Sequence, residues 1–319
     1  MSAVRREGLV PAEQGGARAD LALAALWPEF SRSRIQGWIR AGQVTVDGRV
    51  LRPRDPVAPG AKVVLETTLE PAGDDQPEAI PLEVAFEDDA LLVVNKPAGL
   101  VVHPGAGNRA GTLVNALLHH APDLVNLPRA GIVHRLDKET SGLLVVARTI
   151  AAHTRLVEAM QARTIEREYR AVVSGIPTAG GTVDEPIARH PTDRTRMAVR
   201  QGGRAAVTHF RVLEKFRAHA LLAVQLDTGR THQIRVHLAH RRYPIVGDPV
   251  YGRRQVLPKG PSEELIEALR AFRRQALHAY RLALVHPSTG AQLSFTAEPP
   301  ADFNALLDAL RADADGAAA

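Results

Sequence analysis

From residue 83 onward the sequence is a succession of short apolar runs: VAFEDD, LLVVNKP, LLVVAR, REYRAVVSG, AAVTHFRVLEKF, ALLAVQLDTG, YRLALVHP and QLSFTA. Runs of this length, rich in Val, Leu, Phe and Tyr and closed by Gly, Pro, Asp or Asn, predict strands. Helices are predicted only at 150–162, 231–240, 261–276 and 302–311. Strands that outnumber helices and do not alternate with them argue against a doubly wound nucleotide fold. They predict an α+β domain over residues 83–311, with a large mixed, mainly antiparallel sheet flanked by helices. The tail 312–319 has nothing to bury and is expected to fray.

The first part of the chain is patterned differently. Residues 18–66 form a self-contained unit, with Asp20 as a cap for a helix through LALAAL and Ser31 as a cap for a second helix, SRSRIQGWIRAG, closed by Gly42. In the second helix Ile35, Trp38 and Ile39 recur at the spacing of an inward face, which leaves Arg32, Arg34 and Arg40 for other sides. Asp47-Gly48 inside QVTVDGRVL signals a hairpin, and KVVLE supplies another strand. Residues 1–17 read as a flexible arm. The stretch TTLEPAGDDQPEAIPL, residues 67–82, has the Pro, Gly and acid content of a linker.

With 319 residues, 45% of them hydrophobic, the chain can bury the cores of roughly two domains. It has no cysteine, which removes disulfides, thiolate nucleophiles and cysteine-ligated metals. The opening MSAVRREGLV lacks the apolar run of a secretory signal, and no stretch of ~18 apolar residues could span a bilayer, so a soluble cytoplasmic protein is expected. No coiled-coil pattern is evident, and a monomer is expected. The net charge of +5 is clustered: RHPTDRTRMAVRQGGR, residues 189–204, carries five arginines, among them Arg189, Arg194 and Arg196, against one acid. This is either a solvated loop or hairpin, or a contact for a phosphate backbone, since guanidinium groups bind phosphate oxygens and displace counterions.

GxxxxGK(S/T), GxGxxG after a strand and HExxH are all absent, so nucleoside triphosphates, dinucleotides and zinc hydrolysis find no support. His232 and His237 are five apart, on different sides of a helix, and His240 adds no carboxylate, so no metal site is expected. Asp137 is different. In GIVHRLDKETSGLLVVAR it stands near His134, Arg135 and Lys138 between apolar flanks. That is either a polar turn between strands or an ionised carboxylate able to trap or stabilise an oxocarbenium-like sugar carbon. A conventional glycosidase pairs two carboxylates, and Glu139, two positions on, would point away. A second polar cluster, TGRTHQIRVHLAHRRYPIVGDPVYG, places His232 and Arg235 three apart on a predicted helix after Arg230.

These blocks, with LLVVNKPAGLVVHPG, REYRAVVSG, PIVGDPVYG and LHAYRLALVHP in the same order, resemble the RluA-type pseudouridine synthases over most of residues 84–300. Residues 18–66 resemble the S4 RNA-binding domain that precedes the catalytic domain in the branch acting on large-subunit rRNA. The resemblance implies that Asp137 acts on the ribose C1′ of a uridine, that the N1–C1′ bond breaks, and that the base turns and rejoins through C5. It implies that Arg135 fills the space of the flipped nucleotide, that Arg235 pairs with Asp137, and that Tyr169 packs on the base as a possible proton-transfer group. A phenol with a pKa near ~10 is a poor base at neutral pH. No cofactor is implied. The implied partner is 23S rRNA, at the helix 69 stem-loop, free or in the assembling large subunit, contacted by Arg32, Arg34, Arg40, His134, Arg189, Arg194, Arg196, Arg230 and His232. Two alternatives stay open: an RNA N-glycosidase using Asp137 with water, and a non-catalytic rRNA-binding protein.

Overall fold

The structure, a computed structural model, describes residues 2–27, 30, 32–69, 76–105, 108–193, 195–252 and 256–316, with the backbone alone at 2–4, 33, 34, 68 and 69. Two helices, α1 (Ala19–Leu26) and α2 (Arg32–Arg40), pack on a small sheet of β1 (Ser2–Leu9), β2 (Val44–Val46) and β3 (Lys62–Leu69). Leu23, Ile35, Trp38 and Ile39 bury against Val63 and Leu65, so the apolar face expected of the second helix is the one that packs. Asp20 is not a cap. It lies inside α1, fully buried, and takes hydrogen bonds from Arg18, Arg32 and Gln36. Burial opposes its ionisation, but these bonds outweigh it and hold the carboxyl down at about 2. Arg32 is thereby tied to Asp20 at 2.7 Å. Ser31, expected as the second cap, lies outside the described residues.

Asp47 and Gly48 both have left-handed φ, 48° and 74°, as a two-residue hairpin turn requires. The return arm is only a bridge between Val46 and Arg49, and β2 finds its long partner in β3 instead. The residues before 18 are not a free arm throughout. β1 pairs antiparallel with β3 from Ser2↔Leu69 to Leu9↔Lys62, and opposite charges meet across the pair, Lys62 with Glu7 at 2.9 Å and Arg5 with Glu66 at 3.5 Å. A bare edge of β3 and alternating complementary charges are sufficient reason for that strand to form.

The large sheet runs β4 (Glu83–Glu87), β5 (Leu91–Lys96), β6 (Ser141–Ala147), β13 (Leu277–Val285), β7 (Glu166–Ser174), β12 (His219–Leu226), β11 (Val207–Lys215), β8 (Gly181–Asp184), with β14 (Gln292–Thr296) on β13. Only β6 with β13 is parallel, so the mixed, mainly antiparallel sheet is the expected one. Alternate residues of β5 and β6 face different cores: Leu92, Val94, Leu144 and Val146 one side, Leu91, Val93, Leu143 and Val145 the other. This is why both strands read as continuous apolar runs. Helix α4 (Ile150–Ala162) covers the second face through Ala152 and Leu156. Helix α3 (Leu113–His120), not expected, is fixed by a capping box between Thr112 and Asn115.

The run 189–204 is a hairpin, with β9 (Ile187–Arg189) against β10 (Met197–Val199). Helix α5 (Gln233–His240) follows its predicted span, while α6 (Glu263–Ala271) stops short because Phe272 turns the chain toward β13. The last helix, α7 (Ala301–Gly316), continues past residue 311: Asp313 is buried, accepting the Ser262 N–H and an Arg217 guanidinium, so the tail to Gly316 is anchored and not frayed. No helix among the described residues is long and apolar enough to cross a membrane.

Candidate active site

Asp137 stands in the loop 132–140 that feeds β6. Ile132 bridges Val146, the Val145 N–H donates to His134 Nε2 at 3.1 Å, and the Thr140 N–H returns to the Asp137 carbonyl at 3.0 Å. The entry to β6 is tight. Gly142 has φ 113°, and a Cβ there would lie 2.3 Å from the Ala279 carbonyl oxygen of β13, so only glycine lets the parallel strands meet.

Beneath the loop, Lys96 ends β5 almost fully buried and donates to the carbonyls of Pro97, Leu100 and Lys138 at 2.7, 2.9 and 3.0 Å. Burial pushes its ammonium down to about 7 against the pull of Glu139 and Asp137. Three acceptors around one nitrogen fit the protonated form. Lys96→Met therefore leaves three carbonyls without a donor, and an unfolding free energy lower by about 2–4 kcal/mol is expected in urea melts.

Arg235, in the first turn of α5, projects its guanidinium at Asp137: Nη1 donates to Oδ2 at 3.0 Å. Its other edge is held by Asp248, with Nε to Oδ2 at 2.7 Å and Nη2 to Oδ1 at 2.9 Å. Asp248 is fully buried and also accepts the N–H groups of Val250 and Tyr251. Burial opposes both charges, yet the pairing holds the Asp248 carboxyl below its usual range and keeps Arg235 cationic. The bidentate grip fixes which nitrogen is left for Asp137. Gln233 secures the helix start: it accepts from Thr228 and the Arg230 N–H and donates to Val207 O and Thr208.

Asp137, Gln233 and Arg235 border a cleft of about 780 Å³, a size suited to a small ligand. Arg129, Arg135, Arg163, Arg167, Arg230 and Arg235 line it, against the carboxylates Asp137 and Asp227, so it favours an anionic ligand. Tyr169 is buried in its wall. Burial raises its phenol above the ordinary value, so at neutral pH it carries its proton and can pack or donate, but has no phenolate with which to take one.

The other residues expected on RNA are dispersed. Arg135 is exposed at the cleft, and Arg230 borders it with Nε on the Ala205 carbonyl at 3.0 Å. His232 lines it too, paired through Nδ1 with Tyr251. His134 departs from expectation: its Nε2 is committed to the Val145 N–H, and burial first, then Arg167, hold the ring neutral with a pKa of about 3, which makes it a strut of the loop and not a phosphate ligand. His237 is likewise structural, held by Thr208 and the Glu185 carbonyl. Arg196 lies over the Tyr251 ring at 5.5 Å, and Arg189 ends β9. Arg40 is exposed on α2, remote in sequence from the cleft. The Arg34 side chain and Arg194 lie outside the described residues.

Residues 90–240 match the RNA pseudouridylate synthase family and residues 18–63 the S4 domain. The chain is 56% identical over 310 residues to the ribosomal large subunit pseudouridine synthase D of Pseudomonas aeruginosa, covering 97% of each. The chain belongs to the RluA-type pseudouridine synthases. Within that family it is also 53% identical over 311 residues to the synthase D of Escherichia coli, covering 97% of this chain and 95% of that one. A solved human structure, RNA pseudouridylate synthase domain containing 4, superposes with a TM-score of 0.57 at 29% identity, over 72% of this chain and 93% of that one. As a pseudouridine synthase the chain is an isomerase acting on RNA.

Asp248, Gln233, Tyr251 and Lys96 escaped the reading of the sequence. A signal existed for Asp248, an acid in the glycine-flanked turn GDPVYG that follows a cationic helix. For Lys96 the turn 97–100 that follows it supplies two of the three carbonyls, but the third, on Lys138, is 42 positions away and gives no local signal.

Proposed function

We propose that this synthase converts uridines of 23S rRNA, in the helix 69 stem-loop, to pseudouridine, with Asp137 acting at the ribose C1′. The rRNA substrate rests on the names of the relatives. The chemistry is supported above all by the Asp137 carboxylate, which reaches the cleft while Arg235 engages its Oδ2, leaving Oδ1 without a protein partner among the described residues. In this reading a uridine is turned out of its stack into the cleft, at a cost of a few kcal/mol that is smallest in a loop. The N1–C1′ bond breaks with its electron pair on the base while Asp137 holds C1′. The base turns and C5 bonds to C1′, after which C5 gives up its proton and N1 gains one. Atoms and charge balance without a cofactor.

Arg135 at the cleft occupies the place of the flipped nucleotide. Arg230 and the basic hairpin 187–204 carry the flanking phosphates, and the S4 domain, whose strand β3 takes in the first three residues of the expected linker 67–82, adds affinity through Arg40. A glycosidase would need a second carboxylate or a placed water. Asp248 is consumed by Arg235 and two amides, and Asp227 at the rim is paired with His209 at 3.2 Å, which disfavours that alternative. Pseudouridine mapping by carbodiimide modification and primer extension provides the test. In a strain lacking this chain, 23S rRNA should lose its helix 69 pseudouridines and regain them when the purified chain is added to the rRNA or its precursor particle. An unchanged map would refute the assignment.

A further inference from the structure

His232 precedes α5 with a left-handed backbone, φ 57°. Residues other than glycine rarely hold that conformation unless their surroundings dictate it, and such positions cluster at functional sites. Its Nδ1 lies 2.8 Å from the Tyr251 hydroxyl, which also accepts the Met197 N–H at 2.7 Å. A backbone N–H can only donate, so the buried phenol keeps its own proton for its one remaining partner among the described residues, His232 Nδ1. That makes Nδ1 an acceptor and puts the ring proton on Nε2. Burial, with Arg235 and Arg135 beside the ring, outweighs Asp137 and Asp248 and keeps the imidazole below its ordinary range, hence neutral. Nε2 has no partner among the described residues and is not sealed off. The Tyr251 ring is itself set against His232 edge-on at 5.6 Å and under the Arg235 guanidinium at 5.0 Å. His232 lines the cleft that holds Asp137, and with Nδ1 committed to Tyr251 the Nε2–H is the donor its ring has left to offer there.

We propose that His232 Nε2–H donates a hydrogen bond to a carbonyl oxygen of the target uracil and stabilises the negative charge the base acquires as N1–C1′ breaks. This rests on the uridine isomerisation proposed above. The departing pair makes the base an anion with charge on N1, O2 and O4. His232 keeps its proton throughout, and no other bond to it forms or breaks. A donor whose bond strengthens as that charge grows lowers the barrier and does little for binding.

The test is single-turnover conversion of the helix 69 stem-loop, transcribed with uridine, 2-thiouridine or 4-thiouridine and read by nucleoside chromatography. His232→Asn tolerates the left-handed backbone but loses the donor at the ε position, whereas His232→Gln restores one. His232→Asn is expected to slow conversion about 10–100-fold with RNA affinity within about twofold, and His232→Gln to recover part of the rate. One of the two sulfur substitutions, a weak acceptor, should slow the wild type about tenfold and add nothing in His232→Asn. Weakened RNA affinity at an unchanged rate, or thio effects of equal size in both proteins, would overturn the proposal. Should His232→Asn fail to fold, Tyr251→Phe, which keeps the ring but frees its tautomer, is read against the same thio-substituted RNAs. Asp137→Asn and the parent run alongside: no pseudouridine from the parent refutes the isomerisation reading itself, conversion by Asp137→Asn removes Asp137 from the chemistry, and an inert Asp137→Asn beside a fully active His232→Asn refutes only the role of His232.

Discussion

Asp137→Asn should fold and bind RNA while losing pseudouridine formation by ~10³-fold or more, the scale of removing a nucleophile that acts as one unit with its partners. The amide is isosteric, carries no charge and is a poor nucleophile, so in the proposed mechanism nothing remains to hold C1′ once N1 departs. Stability should change little, by about 1 kcal/mol, because the pair with Arg235 is a single contact at the cleft and Arg235 keeps both bonds to Asp248. Release of tritium from C5-labelled uridine in 23S rRNA, set beside a thermal melt, separates the two effects. A variant that melts like the parent and still releases tritium at the parental rate would remove Asp137 from the chemistry.

What the sequence made legible is what local chemistry decides. The strand runs of β5, β6, β7, β11 and β12 were visible because each is an apolar segment bounded by turn residues, and the helix predicted at 150–162 is α4, capped in the structure by Thr149 and ended by a left-handed Arg163. Asp137 stood out as an acid among cations, and its pairing with Arg235 came from resemblance to a family; the two are 98 positions apart, and no periodicity links them. What stayed hidden depends on partners distant in sequence. β1 exists because β3 offers an edge and complementary charges. Asp20 has the residue type of a cap, yet Arg32 and Gln36 on the next helix turn it into a buried anchor. His134 sits inside the motif that marks the site, and only the fold shows its nitrogen spent on the Val145 amide.

Asp248→Ala is expected to cost more stability than any other single change at the site and to lower turnover as well. Arg235 is 5% exposed, and without Asp248 its Nε and Nη2 face no acceptor while the Val250 and Tyr251 N–H groups lose theirs. Removing one partner of a buried ion pair costs about 3–5 kcal/mol, since the remaining charge stays desolvated and unmatched. Acid does the same without mutation. Burial works against the Asp248 charge, but Arg235 and the two amides hold its carboxyl below the ordinary aspartate value of about 3.9, so the contribution is complete above about pH 4 and is lost as pH falls through the lower folded value. Turnover falls for a separate reason: with two of its nitrogens released, the guanidinium no longer presents Nη1 to Asp137 in one direction, and a drop in kcat of about 10–100-fold at similar KM is expected. The double variant distinguishes aiming from simple loss of fold. In an Asp137→Asn background there is no carboxylate left to aim, so Asp248→Ala should add its full cost to the melt and nothing to the residual activity. If Asp248→Ala destabilised the fold but left kcat at the parental value, Arg235 would need no orientation from Asp248, and its aim at Asp137 would have to come from α5 alone.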